Sequence, residues 1–401
     1  MKSFVTHHFN TILILFLLFL TDDTLLFGTN INQIFFVSKY IFYIIFITIC
    51  IIKNQTLIIS SLIFSKIKVF LLLIILVLFC SIYNDDFRFG NLLVILTLLM
   101  AICYTNVLNF TVFKQKFINV IYYFSVFSLI IYIINIFTPT VLNIFPIVYN
   151  YGEVGFRTML VSNVFLSGNE LRNTGIFREP GVFAIYLNLA IIFSLFGDLS
   201  KRKVAVLIVA LLTTASTAGI LVLFLVLLLY FFINRNFKNF FILIFLSTAL
   251  ISILISFPQL SEFLFAKLSS SNKDYMSSLS RLSSLLTPIE IIKESPIIGV
   301  GLTKFVHYYE LFSLQTVGFS MKADSTSTNT FLNTFAIFGS IYGVITLKLY
   351  YNLCKIIVKR KAIFLLIIIF ILFSSQDLRY SLLFLVLLSY GIVGNFQSKT
   401  K

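Results

Sequence analysis

Tryptophan is missing from this 401-residue chain, histidine occurs three times and proline six, and charged residues make up only 11%. Soluble domains carry roughly 25% charge, so an ordinary soluble fold is excluded. With a mean hydropathy of +1.02, the composition is that of a polytopic membrane protein. The histidines form no His-Glu-x-x-His, and no Asp-x-Asp with neighbouring ligands stands out. Neither a metal nor another cofactor is therefore expected. Cys50, Cys80, Cys103 and Cys354 lie in or beside apolar runs without paired spacing, which argues against a disulfide framework and a zinc site.

What is abundant is apolar sequence, 59% of the chain. A helix needs about 20 apolar residues to cross ~30 Å of hydrocarbon. The expected fold is all-α, one membrane domain over residues 1–401 with about 12 transmembrane helices. These fall at 9–21, 33–52, 67–83, 90–108, 117–137, 180–197, 204–216, 219–233, 239–257, 329–351, 362–374 and 381–396. The first apolar run, Thr11–Leu20, follows Lys2 and precedes no Ala-x-Ala site, so it is read as a retained span rather than a cleaved signal. The uninterrupted run Val204–Ile233 is divided at Ser216-Thr217-Ala218-Gly219. Its two flanks, Lys201-Arg202-Lys203 and Arg235 with Lys238, are both basic and favour the same side.

Charge then orients the spans. With both termini inside, the inner loops collect Lys66 and Lys68, Lys114 and Lys116, Lys201-Arg202-Lys203, Arg235 and Lys238, and Lys359-Arg360-Lys361, against the single acid Asp198. That is the positive-inside pattern. The net charge of +15 is thus a topology signal, and nucleic acid is not an expected partner, since no basic patch lies outside these short loops.

Two outer segments are long, 138–179 and 258–328, and long loops in compact proteins are usually functional or disordered. The first retains Phe156, Leu160, Val164 and Phe165, which fit packing on the membrane body. It ends in Asn169–Leu187, where Arg172, Arg178 and Glu179 precede an apolar span opening at Pro180. In the second, Leu279, Leu282, Leu285, Leu286, Ile289 and Ile292 recur at helical spacing. They predict an amphipathic helix in the interface, bent or restarted at Pro288, with Arg281 either snorkelling to headgroups or acting on a ligand. The pair Gly299-Val300-Gly301 allows a tight turn but lacks the third glycine and the preceding strand of a phosphate loop. His307 and Tyr308 suit sugar stacking or a structural role. In the turn between the last two spans, Asp377 and Arg379 are expected to pair.

Four blocks occur in order: Arg172-Asn-Thr-Gly-Ile-Phe-Arg-Glu179-Pro-Gly, Ser216-Thr-Ala-Gly219, Ser280-Arg281 with Pro296-Ile-Ile-Gly-Val-Gly301, and Asn329-x-x-Leu332 with Gly339. On these blocks the chain resembles the O-antigen polymerase and O-antigen ligase-like membrane glycosyltransferases, the Wzy-type polymerases among them. The resemblance spans roughly Arg172–Gly343 and departs at Thr328, where members often place a histidine before the asparagine.

The resemblance implies a glycosyltransferase-C-like fold in the bacterial cytoplasmic membrane. Its substrate would be an undecaprenyl-pyrophosphate-linked oligosaccharide, polymerised on the outer face, and a chain-length regulator and a flippase would be protein partners. An O-antigen ligase is the alternative within the family, and a lipid-linked oligosaccharide flippase the alternative outside it. Transporters, however, place ionisable groups near the midplane on interrupted helices, and here these groups gather in the outer loops.

Breaking an anomeric bond to pyrophosphate builds negative charge at the membrane surface, which fixed cations stabilise. Arginine pairs phosphate oxygens bidentately and stays charged. Arg172, Arg178 and Arg281 are the candidates, with Arg178, Asn329, His307 and Tyr308 as substrate contacts. Glu179 is the candidate base for the acceptor hydroxyl. Before Pro180 it occupies a helix N-cap, where the dipole favours the carboxylate and weakens it as a base. A capping carboxylate, or a partner holding Arg172 or Arg178, is the competing reading. Sugar transfer by the purified protein is expected to survive EDTA; loss that magnesium restores would overturn the metal-free reading.

Overall fold

The computed structural model describes residues 2–28, 33–53, 61–149, 155–159, 161–166, 171–197, 200–242, 244–245 and 275–397. Its helices are α1 (Lys2–Phe19), the short α2 (Leu25–Gly28), α3 (Gln33–Lys53), α4 (Ser61–Tyr83), α5 (Phe89–Val107), α6 (Phe110–Phe137), α7 (Pro180–Leu195), α8 (Lys201–Thr213) and α9 (Thr217–Ile233). After the undescribed stretch come α10 (Tyr275–Glu294), α11 (Gly301–Val317), the short α12 (Ala323–Thr326), α13 (Thr330–Val358), α14 (Ala362–Phe373) and α15 (Leu382–Gln397).

The centre of the bundle is made by the helices that are apolar all round, as that pattern requires. In α7 every residue from Val182 to Leu195 is buried, and in α15 the run Leu382–Ile392 is buried. α15 packs on α13 and α5, and α7 packs on α6, α8 and α9. Outward, α3, α4 and α5 expose Ile44, Ile51, Ile75, Phe79, Ile82 and Leu92. Such an apolar exterior, together with the apolar helices, suggests a membrane protein.

By length and composition α5 and α6 can cross a membrane, and shorter apolar helices of 10–17 residues accompany them. Twelve full spans are not shown among the described residues. At 1.5 Å per residue, α8 is only ~20 Å long. α13 is broken at Gly339 (φ 81°, ψ 170°). The expected span 239–257 falls largely outside the described residues. The division of 204–233 holds: α8 and α9 are separate helices, and the Ser216 hydroxyl caps α9 by accepting from the Gly219 N–H at 3.3 Å. Lys114 and Lys116, expected in a loop, lie within α6, because Asn109 starts that helix early by accepting from the Val112 N–H at 2.9 Å.

All-α needs a further correction. The first outer segment holds a three-stranded antiparallel meander, β1 (Ile147–Tyr149), β2 (Gly155–Thr158) and β3 (Asn163–Phe165). Cross-strand Phe156 and Phe165 pack edge to face with centroids 5.4 Å apart, a pairing that favours sheet. Phe156 and Val164 are buried, as expected, and Leu160 is not among the described residues.

The second outer segment folds as a hairpin of α10 and α11 laid over the same end of the bundle. α10 runs unbroken through Pro288. Its buried face is largely hydroxylic, with Ser283, Ser284 and Thr287 inward, while Leu282, Leu285, Leu286 and Ile289 are exposed. Leu282, Leu285 and Leu286 therefore face away from the body, while Leu279 is buried.

This hairpin is fastened at a backbone crossing. Gly299 (φ 85°) and Gly339 (φ 81°) approach so closely that an added Cβ would stand 2.3 Å from the Ile337 carbonyl oxygen at the first and 2.1 Å from the Ile297 carbonyl oxygen at the second. The Val300 N–H donates to the Ala336 carbonyl (3.0 Å) and the Ser340 N–H to the Pro296 carbonyl (2.9 Å), so the groups freed by the helix break are taken up by the hairpin. A second tie comes from Asp86, which the sequence alone left without a role. Its carboxylate accepts from the Thr303 N–H (3.0 Å) and hydroxyl (2.7 Å) at the start of α11.

Gly339→Ala or Gly299→Ala is expected to cost more than ~3 kcal/mol, because positive φ and backbone overlap act together; an unchanged thermal midpoint would contradict the crossing. Burial alone would raise the Asp86 carboxyl, but the hydrogen bonds from Thr303 and neighbouring N–H groups outweigh it and hold it below its usual value. A lowered carboxyl stabilises the fold above its unfolded value, near 3.8, and loses that contribution as pH falls through the folded value. Asp86→Ala is expected to cost ~1–2 kcal/mol at neutral pH, the scale of a lost helix cap. The gap between the two thermal midpoints should narrow in acid.

Candidate active site

The block from Arg172 to Glu179 is an irregular segment that turns at Gly175 (φ 54°) and is clamped from both sides. On one side the Asn173 amide donates to Thr213 Oγ1 (3.0 Å) and Ser128 Oγ (3.1 Å), and its N–H donates to the Thr213 carbonyl. On the other, the Leu25 N–H donates to the Ile176 carbonyl (3.2 Å) and the Arg178 N–H to the Asp23 carbonyl (3.0 Å). Phe177 packs on Tyr186 of α7 at 4.3 Å. Glu179 is extended (φ −150°, ψ 150°) and Pro180 begins α7, as expected. Consecutive residues of an extended chain point opposite ways, so Arg178 and Glu179 look into different spaces.

Arg172, Glu179 and Arg281 line one cavity of about 370 Å³ with Pro180, Gly181, Ser216, Ala218, Ser280, Ser284, Leu285, Thr328, Ile371, Ser374, Ser375 and Gln376. The turn between α8 and α9 orients both arginines. Arg172 Nε donates to the Thr214 carbonyl (3.1 Å) and Nη2 to the Ala215 carbonyl (3.4 Å). From α10, Arg281 Nη1 donates to the Thr217 hydroxyl (3.1 Å). Ala215 holds φ 50°, a conformation uncommon outside glycine, and its carbonyl faces Arg172. The cavity also receives the N-terminal ends of α7 and α9, whose dipoles point positive charge into it. Two guanidinium groups and two helix starts thus surround one carboxylate.

That carboxylate does not cap its helix. Glu179 Oε2 instead accepts from Gln376 Nε2 at 2.8 Å, a partner the sequence reading missed. The polar break Ser374-Ser375-Gln376 between the last two apolar runs was the available signal. Thr328, the position that departs from the resembled family, lines the cavity, and its hydroxyl donates to Ser284 Oγ at 3.0 Å.

The remaining expected site residues lie elsewhere. Arg178 lines a neighbouring cavity. Asn329 is fully buried and caps α13, accepting from the Leu332 N–H (3.0 Å) and donating to Ser374 Oγ (3.1 Å). His307 and Tyr308 lie on α11 outside the cavity, their rings 6.1 Å apart; His307 is exposed and Tyr308 packs on Phe312. Asp377 and Arg379 form the expected ion pair, at 2.5 Å.

Residues 204–347 match the family model described as O-Antigen ligase. No curated protein and no solved structure matches the chain. The matched stretch runs from α8 into α13, so it contains Arg281, the α8–α9 turn, Thr328 and the Gly299–Gly339 crossing. Arg172, Glu179 and Gln376 complete the same cavity from outside it. Over residues 204–347 the chain is therefore similar to the O-antigen ligase family, and the match does not extend to the rest of the chain.

Proposed function

We propose that the protein is a membrane glycosyltransferase that polymerises oligosaccharide repeat units carried on undecaprenyl pyrophosphate, at the outer face of the bacterial cytoplasmic membrane. The observation that carries this reading is the single cavity that gathers Arg172, Arg281 and Glu179 between two helix N-termini. In the reaction, the acceptor hydroxyl oxygen attacks the anomeric carbon of the donor. The bond from that carbon to the pyrophosphate oxygen breaks, and the hydroxyl proton passes to the Glu179 carboxylate. Arg172 and Arg281 pair the charge left on the pyrophosphate. The Gln376 amide holds Glu179 in place beside the acceptor hydroxyl.

Two alternatives are weighed by particular residues. An O-antigen ligase is favoured by the description of the matching family model, but at Thr328 the hydroxyl offers no basic nitrogen. A flippase would use an interrupted helix for its ligand, and α13 is interrupted. Its freed Ala336 carbonyl, however, already accepts from Val300, and the Ile337 carbonyl accepts from Cys80 Sγ at 3.1 Å.

The test is a gel of surface polysaccharide from a deletion strain complemented with Arg172→Ala, Glu179→Ala, Arg281→Ala or Gln376→Ala. Removing a charge that acts only in the transition state costs ~10²–10³ in rate, so the first three variants are expected to leave chains of one repeat unit. Gln376→Ala, which only positions the base, is expected to shorten chains less and to recover with Gln376→Asn. Full-length chains retained on the lipid carrier would indicate a ligase. Normal polysaccharide from all the alanine variants would defeat the assignment.

A further inference from the structure

A second cavity, of about 290 Å³, adjoins the first and is lined by Asp22, Asp23, Tyr40, Gly90, Thr97, Arg178, Asp377, Tyr380 and Ser381, with Leu93 and Val94. Nothing in the reaction outlined above uses it. Two consecutive pairs of residues form the partition between the cavities. Glu179 and Gln376 face the first and bond to each other, while Arg178 and Asp377 face the second, where Arg178 Nη2 donates to the Asp377 carbonyl at 3.5 Å.

The two spaces differ in chemistry. The first has two arginines for one glutamate; the second is lined by three aspartates and one arginine, with Lys39 and Arg379 paired to two of the aspartates, so it has no surplus cation to offer a phosphate. Its carboxylates are held in place rather than loose. Asp22 is paired with the buried Lys39, Asp377 with Arg379, and Asp23 Oδ2 accepts from the hydroxyls of Tyr186 (2.6 Å), Ser381 (2.5 Å) and Thr21 (3.0 Å). Arg178 Nε is buried without a hydrogen-bond partner among the described residues. An unused buried donor costs ~1–3 kcal/mol and is the kind of group a ligand oxygen satisfies. From Gly90 to Thr97 the lining follows α5 for ~10 Å, ending on Thr97, Leu93 and Val94. Preset acceptors, one unfilled donor and the Tyr40 and Tyr380 rings suit a compact, uncharged molecule rich in hydroxyl groups.

We infer that this second cavity binds the saccharide end of the acceptor and leads its attacking hydroxyl past the edge of the Arg178–Asp377 and Glu179–Gln376 strip to Glu179 in the first cavity. The inference rests on the glycosyltransferase reading and adds to it a division of labour: phosphate in one cavity, sugar in the other. At ~300 Å³, the second cavity is at the small end of ligand pockets and holds a terminal sugar rather than a whole repeat unit.

The experiment uses the full chain in lipid nanodiscs and two probes. One is the neutral oligosaccharide released from the producing strain's own surface polysaccharide, followed by saturation-transfer NMR; the other is undecaprenyl pyrophosphate without sugar. Thr97→Phe, which fills the cavity, and Tyr40→Ala, which removes a wall, are each expected to weaken saccharide binding at least ~10-fold, one strong contact's worth, and to leave undecaprenyl pyrophosphate binding unchanged. Arg281→Ala is expected to do the reverse. Should Thr97→Phe lose both probes through misfolding, Tyr40→Ala decides. Saccharide binding kept in Tyr40→Ala, or lost in Arg281→Ala, overturns the inference, as does loss of both probes in Tyr40→Ala. A saccharide that binds as expected while the arginine variants still make normal polysaccharide would instead defeat the glycosyltransferase assignment and leave the second site standing.

Discussion

The contact on which the rest of this architecture depends is the crossing of two glycine backbones, Gly299 over Gly339. Breaking a helix frees carbonyl and N–H groups, and such groups left buried without partners cost ~1–3 kcal/mol each. Here the chain that crosses the break supplies the missing partners, through Val300 and Ser340. Break and crossing are thus one structure, since neither is stable without the other. The consequence is positional: a hairpin that would otherwise rest on the surface by its leucines is fixed to the bundle. Arg281 is thereby carried to the α8–α9 turn and the α7 N-terminus.

The fixed hairpin explains why the buried side of α10 is hydroxylic. Its inner face roofs a polar cavity, where Ser280 and Ser284 are wall residues, and its outer face keeps Leu282, Leu285, Leu286 and Ile289 exposed. An amphipathic helix at a membrane surface ordinarily buries its leucines in the interface and turns its polar side to water. α10 leaves these apolar residues exposed and turns its hydroxyl groups onto the protein. Arg281 is among the polar residues so directed, which gives it a hydrogen-bonded place on Thr217 rather than a headgroup.

How much of this was legible in the sequence follows from the range of the forces involved. Helix positions depend on local hydrophobicity and caps, so α5, α7, α9, α14 and α15 fall within a few residues of their expected bounds. The convergence of Arg172, Glu179 and Arg281 was approachable, because charge patterning assigns them all to one face. Gln376 was not, since its meaning lies in a hydrogen bond 197 residues distant in sequence. Asp86 was passed over for the same reason: it caps a helix 217 residues later. The meander of β1–β3 escaped because its strands are three or four residues long, too short for an alternating pattern to register. Asn329 shows the converse. The Asn329-x-x-Leu332 block of the resemblance implied a ligand contact, whereas the Asn329 side chain is spent on the start of α13.

The partition between the two cavities imposes a constraint that neither cavity has alone. Arg178 and Glu179 are adjacent on the segment that enters α7, and Gln376 and Asp377 are adjacent on the turn opposite, so a shift of either segment moves one residue in each space. The backbone bond from Arg178 to Asp23 and the packing of Phe177 on Tyr186 restrain the first segment. The second is restrained by Thr330, whose hydroxyl donates to the Gln376 carbonyl (2.7 Å) and accepts from the Leu378 N–H (2.9 Å). Under the proposed reaction Glu179 has to meet the acceptor hydroxyl beside the pyrophosphate, and such restraint serves that placement, since misplacement by about 1 Å can cost 10²-fold in rate. The buried hydroxyls and aromatic rings around this strip are therefore as much part of the site as the charges they hold apart.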